Sequence, residues 1–80
     1  MAVVYKSKEI AFNQITILKQ FVDEASKVED EVSLQSDYYV VNAKSIMGVM
    51  SLDTSKGVTV CYPAYAHDFE LFLEPFEVKE

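Results

Sequence analysis

The chain has 80 residues, with 13 acidic against 7 basic side chains and a formal charge of -6; every basic residue is lysine. Without arginine and with this acidic balance it is a poor match for a nucleic-acid binder, which needs positive charge against phosphates. The single cysteine, Cys61, excludes an internal disulfide and a Cys-rich zinc site, and no run of about 18 apolar residues exists to span a membrane.

Val3, Val4 and Tyr5 open a first strand whose alternation fades at Ser7 and Lys8. From Asn13 the period changes: Ile15, Leu18, Phe21, Val22, Ala25 and Val28 recur at spacings of three and four with charges between them. This predicts an amphipathic helix of roughly four turns, with Asn13 a candidate cap. Glu29-Asp30-Glu31 reads as a solvated connection. Val32 and Leu34 alternate with polar residues as a half-buried strand does, and Gln35-Ser36-Asp37 supplies turn chemistry. Tyr38 to Val41 then completes a hairpin.

Ser45 is a favoured N-cap, because its hydroxyl can accept from a backbone N–H one turn on. A short helix from Ile46 to about Leu52 follows, then a polar connection from Asp53 to Gly57. Val58, Val60 and Tyr62 form a fourth strand, with Cys61 on its other face. Ala66 to Leu73, with Phe69, Phe72 and Leu73 on one side, is a last helix stopped by Pro75. The predicted order is β-α-β-β-α-β-α: an α+β, two-layer domain over residues 1–80 with helices on one face of a four-stranded antiparallel sheet.

The stretch Asn42-Ala43-Lys44-Ser45-Ile46-Met47-Gly48-Val49-Met50-Ser51-Leu52 strongly resembles the region around the regulatory serine of HPr. HPr is the histidine-containing phosphocarrier of the bacterial sugar phosphotransferase system. Val22, Ala25-Ser26-Lys27, Val32, Leu34 and Val41 also fall on family-like residues without a gap. The resemblance implies the open-faced β-sandwich of that family. It is most specific from Asn42 to Leu52 and weak at both ends; the connection after Leu52 is shorter than usual and the last helix is truncated.

The same alignment places Gln14 where the family carries its phosphorylated histidine, Thr16 on its arginine and Ile17 on its proline. The family reads roughly G-[IL]-H-A-R-P-A; this chain reads Phe12-Asn13-Gln14-Ile15-Thr16-Ile17-Leu18. Imidazole can be nucleophile and leaving group near neutral pH, whereas the Gln14 amide is neither. Thr16 offers one hydroxyl where arginine offers forked donors. The resemblance therefore implies a non-catalytic chain that has lost phosphohistidine chemistry. The catabolite-repression HPr-like members of bacilli also carry glutamine in place of the histidine and retain the serine. They keep the Arg-Pro pair, which this chain does not.

Two roles meet at Ser45. One is the structural cap; the other, implied by the resemblance, is phosphorylation by an HPr kinase/phosphorylase. A phosphate at a helix N-terminus gains from the exposed N–H groups and the dipole. A two-turn helix cannot bury all of Ile46, Met47, Val49, Met50 and Leu52, and the resemblance makes Ile46, Met47 and Met50 the patch that docks partner proteins, with core packing the competing reading. The implied partners are HPr kinase/phosphorylase, phosphotransferase-system enzymes or a catabolite regulator, for a monomer or weak homo-oligomer.

His67, the one histidine, reads as an exposed residue in the last helix's first turn; its rival role is a relocated phosphoacceptor in a true carrier. Neither it nor the scattered carboxylates has metal-ligand spacing, so no metal and no cofactor is expected. Cys61 reads as sheet packing. Tyr38, Tyr39, Tyr62 and Tyr65 read as packed on the sheet with hydroxyls at its margin, with Tyr38 and Tyr39 the alternative mark of self-association. A charged n-region before an apolar core is missing, so no signal peptide and a cytoplasmic location are expected. The favoured function is a regulatory adaptor in carbohydrate uptake and catabolite control. A diverged structural module, never phosphorylated, is the remaining alternative.

Overall fold

The computed structural model describes residues 2–78. Its elements are β1 (Tyr5–Ile10), α1 (Ile15–Ser26), β2 (Ser33–Ser36), β3 (Tyr39–Asn42), α2 (Ile46–Met50), β4 (Val58–Pro63) and α3 (His67–Leu73), with 3-10 turns at Thr54–Lys56 and Glu74–Phe76. The four strands form one antiparallel sheet in the order β1-β4-β2-β3. The element order and the two-layer α+β architecture are those predicted.

Alternation on β4 explains the layers. Val58, Val60 and Tyr62 are buried, whereas Thr59 and Cys61 are half-buried on the other face. Leu34 pairs with Val60 in the register, and Ile10 with Val58, so one face carries a continuous apolar strip. Helices α1 and α3 cover it through aromatic contacts: Phe21 lies 5.6 Å from Phe69, and Phe69 lies 5.7 Å from Tyr62. Offset and edge-on arrangements at such separations are the favourable ones for aromatic pairs. Phe12 joins the cluster from just before α1, 5.7 Å from Phe21, and thereby fixes where that helix begins.

The first strand differs from its prediction. It runs on through Ser7 and Lys8 to Ile10. Its register puts Lys6 and Lys8 on the helix face, beside Tyr62 and Val60. The lysines are compatible with that face because β1 is an edge strand: their stems lie along apolar surface while the ammonium groups reach Glu70 (3.1 Å) and Glu77 (3.3 Å). Period-two hydrophobicity therefore vanishes from a strand that is nonetheless fully paired.

Three smaller corrections concern boundaries. Helix α1 is shorter than the periodicity predicts, and its N-cap position is Gln14, not Asn13. Val28 stays in the core beyond the helix end. Tyr38 lies in the turn rather than in β3, with Asp37 at φ 50°, a left-handed conformation that aspartate tolerates better than most residues. As a result Tyr38 is 97% and Tyr39 68% exposed, against the expectation that both pack on the sheet. Tyr62 does pack on the sheet and donates its hydroxyl to Glu70, whereas Tyr65 lies in the turn after β4, half exposed, with its hydroxyl donating to Asp30. Helix α3 ends two residues before Pro75, and the chain then makes a 3-10 turn containing it.

Candidate functional site

The site is built from two helix starts. At α2, Ser45 is the N-cap, and its Oγ accepts from the Gly48 N–H at 3.3 Å. The fourth residue of α2, Val49, is wholly buried and anchors the helix on the core. Gly48 lets α2 approach β3 closely, since a Cβ there would lie 3.3 Å from Cβ of Val41. With Val49 facing in, the remaining apolar side chains face out: Met47 is 80%, Met50 55% and Ile46 39% exposed. Leu52, just past the helix, is half-buried against the core. The competing core reading of Ile46, Met47 and Met50 is thus not the one the packing adopts.

Helix α1 packs beside α2 and starts differently. Gln14 occupies the N-cap position but makes no side-chain capping bond, and the first turn contains no acidic residue. Gln14 is exposed, as is Thr16 in the first turn; Ile17 turns inward. Ile15 is half exposed and adds to the apolar surface of the neighbouring α2.

A shallow depression of about 320 Å³ lies between the start of α1 and the segment after α2, lined by Asn13, Gln14, Ile15, Leu52, Asp53 and Ser55 among others. Its floor is held by Thr54. That buried hydroxyl donates to the Phe12 carbonyl at 2.8 Å, while the Phe12 N–H donates to the Thr54 carbonyl at 3.0 Å. This reciprocal clamp ties the start of α1 to the segment that follows α2. Sequence reading had placed Thr54 only in a polar connection; nothing in the local pattern distinguishes it from Ser55, which is exposed.

Asp53 supplies the charge of the depression. Its Oδ1 accepts from both Ser55 Oγ (2.6 Å) and the Ser55 N–H (3.1 Å). These bonds, helped by Lys56 and opposed by desolvation, hold its carboxyl below the ordinary value. The depression beside Gln14 thus presents a carboxylate.

His67 is elsewhere. It is the exposed first residue of α3 and lines a different groove, with Glu24, Val28 and Asp68, at the far end of α1. A 12-residue helix is about 18 Å long, so His67 and Gln14 do not share a site. Across that groove Tyr65 and Asp30 are joined twice: the hydroxyl donates to the carboxylate at 2.8 Å and accepts from the Asp30 N–H at 3.2 Å. The carboxylate bond first, and burial second, push the Tyr65 hydroxyl up in pKa. Among the described residues no group of three or more His, Cys, Asp and Glu side chains could hold a metal ion.

The family model for the PTS HPr component phosphorylation site matches residues 17–74. The chain belongs to the HPr family. It is 46% identical over 54 residues to the HPr-like protein Crh of Bacillus subtilis, and 39% identical over 54 residues to the HPr-like protein Crh of Halalkalibacterium halodurans. Each match covers 68% of this chain and 64% of the relative's length. Among solved structures, the phosphocarrier protein HPr from Bacillus anthracis superposes with a TM-score of 0.69 at 28% identity, covering 95% of this chain and 99% of that one. HPr-C-His from Thermoanaerobacter tengcongensis gives 0.67 at 30%, covering 85% and 86%. These HPr neighbours share the open-faced sandwich of this chain. The family match begins three residues after Gln14, so it spans Ser45 and the α2 surface but not the glutamine.

Proposed function

We propose that this HPr-family chain no longer carries phosphohistidine and acts instead as a regulatory adaptor in carbohydrate uptake and catabolite control. The observation that carries this reading is the exposed apolar face of α2, headed by the exposed, capping Ser45. No catalytic step by this chain is needed. A phosphate on Ser45 adds about -1.5 to -2 charge beside Ile46, Met47 and Met50, which changes the partners that surface accepts. An HPr kinase/phosphorylase would install it; the docked partners would be phosphotransferase-system enzymes or a catabolite regulator. A cytoplasmic site of action fits such partners, and among the described residues no helix is long and apolar enough to cross a membrane.

The loss of carrier chemistry is supported by the surroundings of Gln14 as well as by its amide. A phosphoryl group there would meet the Asp53 carboxylate that lines the same depression, and Thr16 in place of a guanidinium. His67 is a poor substitute, since it lies at the opposite end of α1 beside Glu24 and Asp68.

The test is direct. Purified protein with a cognate HPr kinase and ATP gains one phosphate, and Ser45→Ala gains none. Mass spectra without an adduct on the unaltered chain sink the switch. They would leave the second reading, a structural module in which Ser45 is kept for the bond it accepts from Gly48.

A further inference from the structure

Methionine is a ready filler of irregular core gaps, yet among the described residues the buried core contains none. Both described methionines stand on α2, Met47 80% and Met50 55% exposed. At about 3.6 residues per turn, Met50 falls between Ile46 and Met47 around the helix, so the two thioethers share its outward face. Val49, wholly buried, holds α2 on the core from the other side. The helix ends do not use the sulfurs either. Ser45 Oγ accepts from the Gly48 N–H at the start, and Ser51 Oγ donates to the Gly48 carbonyl at 2.6 Å at the exit.

The thioethers differ from the rest of this apolar surface in one chemical property. Their sulfur carries lone pairs that a two-electron oxidant attacks with no proton to be lost first, and the product is a polar sulfoxide. Ile15 and Ile46 have no such group. Cys61, the other sulfur of the described residues, is half-buried between Ser7 and Ser33 on the outer face of the sheet. The helical layer covers the opposite face, so oxidation of Cys61 leaves the α2 surface as it was. Only Met47 and Met50 can convert that surface from apolar to polar by oxidation.

We propose that Met47 and Met50 are a reversible oxidation site that closes the α2 surface to partners without unfolding the chain. This rests on the reading of α2 as a docking surface. The oxidant is a hypohalous acid. The sulfur gives an electron pair to the chlorine of hypochlorous acid and hydroxide leaves. Water then bonds to sulfur, chloride departs and two protons are lost, one of which neutralises the hydroxide. Sulfur is oxidised by two electrons and chlorine is reduced by two. The new S–O oxygen is a strong acceptor, and an apolar partner surface leaves it without a donor. A thiol-dependent methionine sulfoxide reductase reverses the step. Phosphate on Ser45 and oxygen on Met47, two residues apart, thus act on one surface, the first through charge and the second through polarity.

The test uses Cys61→Ser protein, so that only methionine chemistry is read. After brief treatment with hypochlorous acid, peptide mass mapping should find one added oxygen on Met47 and on Met50, with Met47, the more exposed, modified first. The melting temperature should not change. Phosphorylation of Ser45 by a cognate HPr kinase and ATP should slow about tenfold, and methionine sulfoxide reductase with a dithiol should restore it. The same chain carrying Met47→Leu and Met50→Leu keeps the face apolar; it should be phosphorylated at the untreated rate before and after the oxidant. Equal phosphorylation of oxidised and untreated protein overturns the inference and leaves the adaptor reading standing. Slowing that persists in the double leucine variant also overturns it, because another group is then responsible. So does a melting temperature that falls on oxidation in the methionine protein alone. Untreated protein that is never phosphorylated sinks the adaptor reading itself, and the inference with it.

Discussion

Helices α1 and α2 pack against each other, yet one start is capped and the other is not. At α2, Ser45 accepts from Gly48 N–H; at α1, Gln14 holds the same position and its side chain makes no capping bond. A serine at a helix start is useful to the fold whether or not it is ever modified. At the α1 start nothing structural depends on a capping side chain. The α1 start is then held from below, by the Thr54–Phe12 clamp and the Phe12–Phe21 contact. The position of the α1 start therefore does not depend on which side chain occupies its N-cap.

The largest expected effect concerns what each start can accept. With enzyme I and phosphoenolpyruvate the unaltered chain should take no acid-labile label. Gln14→His alone should take little, because Asp53 remains and no guanidinium is present; Gln14→His with Thr16→Arg should take substantially more. Efficient labelling of the unaltered chain on His67 would break the comparison outright, because the chemistry would have moved rather than gone.

Next comes the clamp beneath the α1 start. Thr54→Val keeps shape but removes the hydroxyl that reaches Phe12 O, leaving a buried acceptor short of a partner; it should cost about 1–3 kcal/mol in chemical denaturation. By contrast Met47→Asp, at an 80% exposed position, should change stability by no more than about 0.5 kcal/mol while abolishing partner binding. A large stability loss there would return Met47 to the core.

The two caps can be compared directly. Ser45→Ala should cost about 1 kcal/mol, and Gln14→Ala close to nothing, since only the first removes a bond to the helix N-terminus. Gln14→Asp should stabilise α1 by a fraction of that amount. Equal losses at both positions would mean that Gln14 caps α1 in solution.

Much of this surface could be read in the chain, for reasons that differ by residue. Ser45 was legible because capping is local: a hydroxyl and an N–H one turn on decide it. Counting shows that some apolar residues of α2 must be exposed, and the family resemblance points to Ile46, Met47 and Met50. Thr54 was not legible, because its partner is Phe12, 42 residues away in sequence, and its neighbours Asp53 and Ser55 share its polarity. Strand β1 was obscured for a similar reason. Lys6 and Lys8 face the helical layer because Glu70 and Glu77 receive them there, and both glutamates come from the other end of the chain. The aromatic pair Tyr38-Tyr39 misled in the opposite sense, since strand propensity does not say that an edge hairpin leaves its tip in water.

The smallest effect lies in Asp53, and its sign follows from its bonds. Ser55 donates twice to the carboxylate, so the folded-state pKa lies below the ordinary value of 3.8. A depressed pKa means that the unfolded chain binds this proton more tightly than the folded one. The stabilisation is therefore fully present above about pH 5, and is lost as pH falls through the unfolded and then the folded value. Asp53→Asn retains an acceptor oxygen but cannot titrate. The stability difference between it and the unaltered chain should be small, constant from neutral pH down to about pH 5, and shrink below that. A difference that persists undiminished at acid pH would show that the Ser55 bonds are indifferent to the charge. The carboxylate beside Gln14 would then be a structural cap for the Thr54–Lys56 turn and no longer part of what separates the two helix starts.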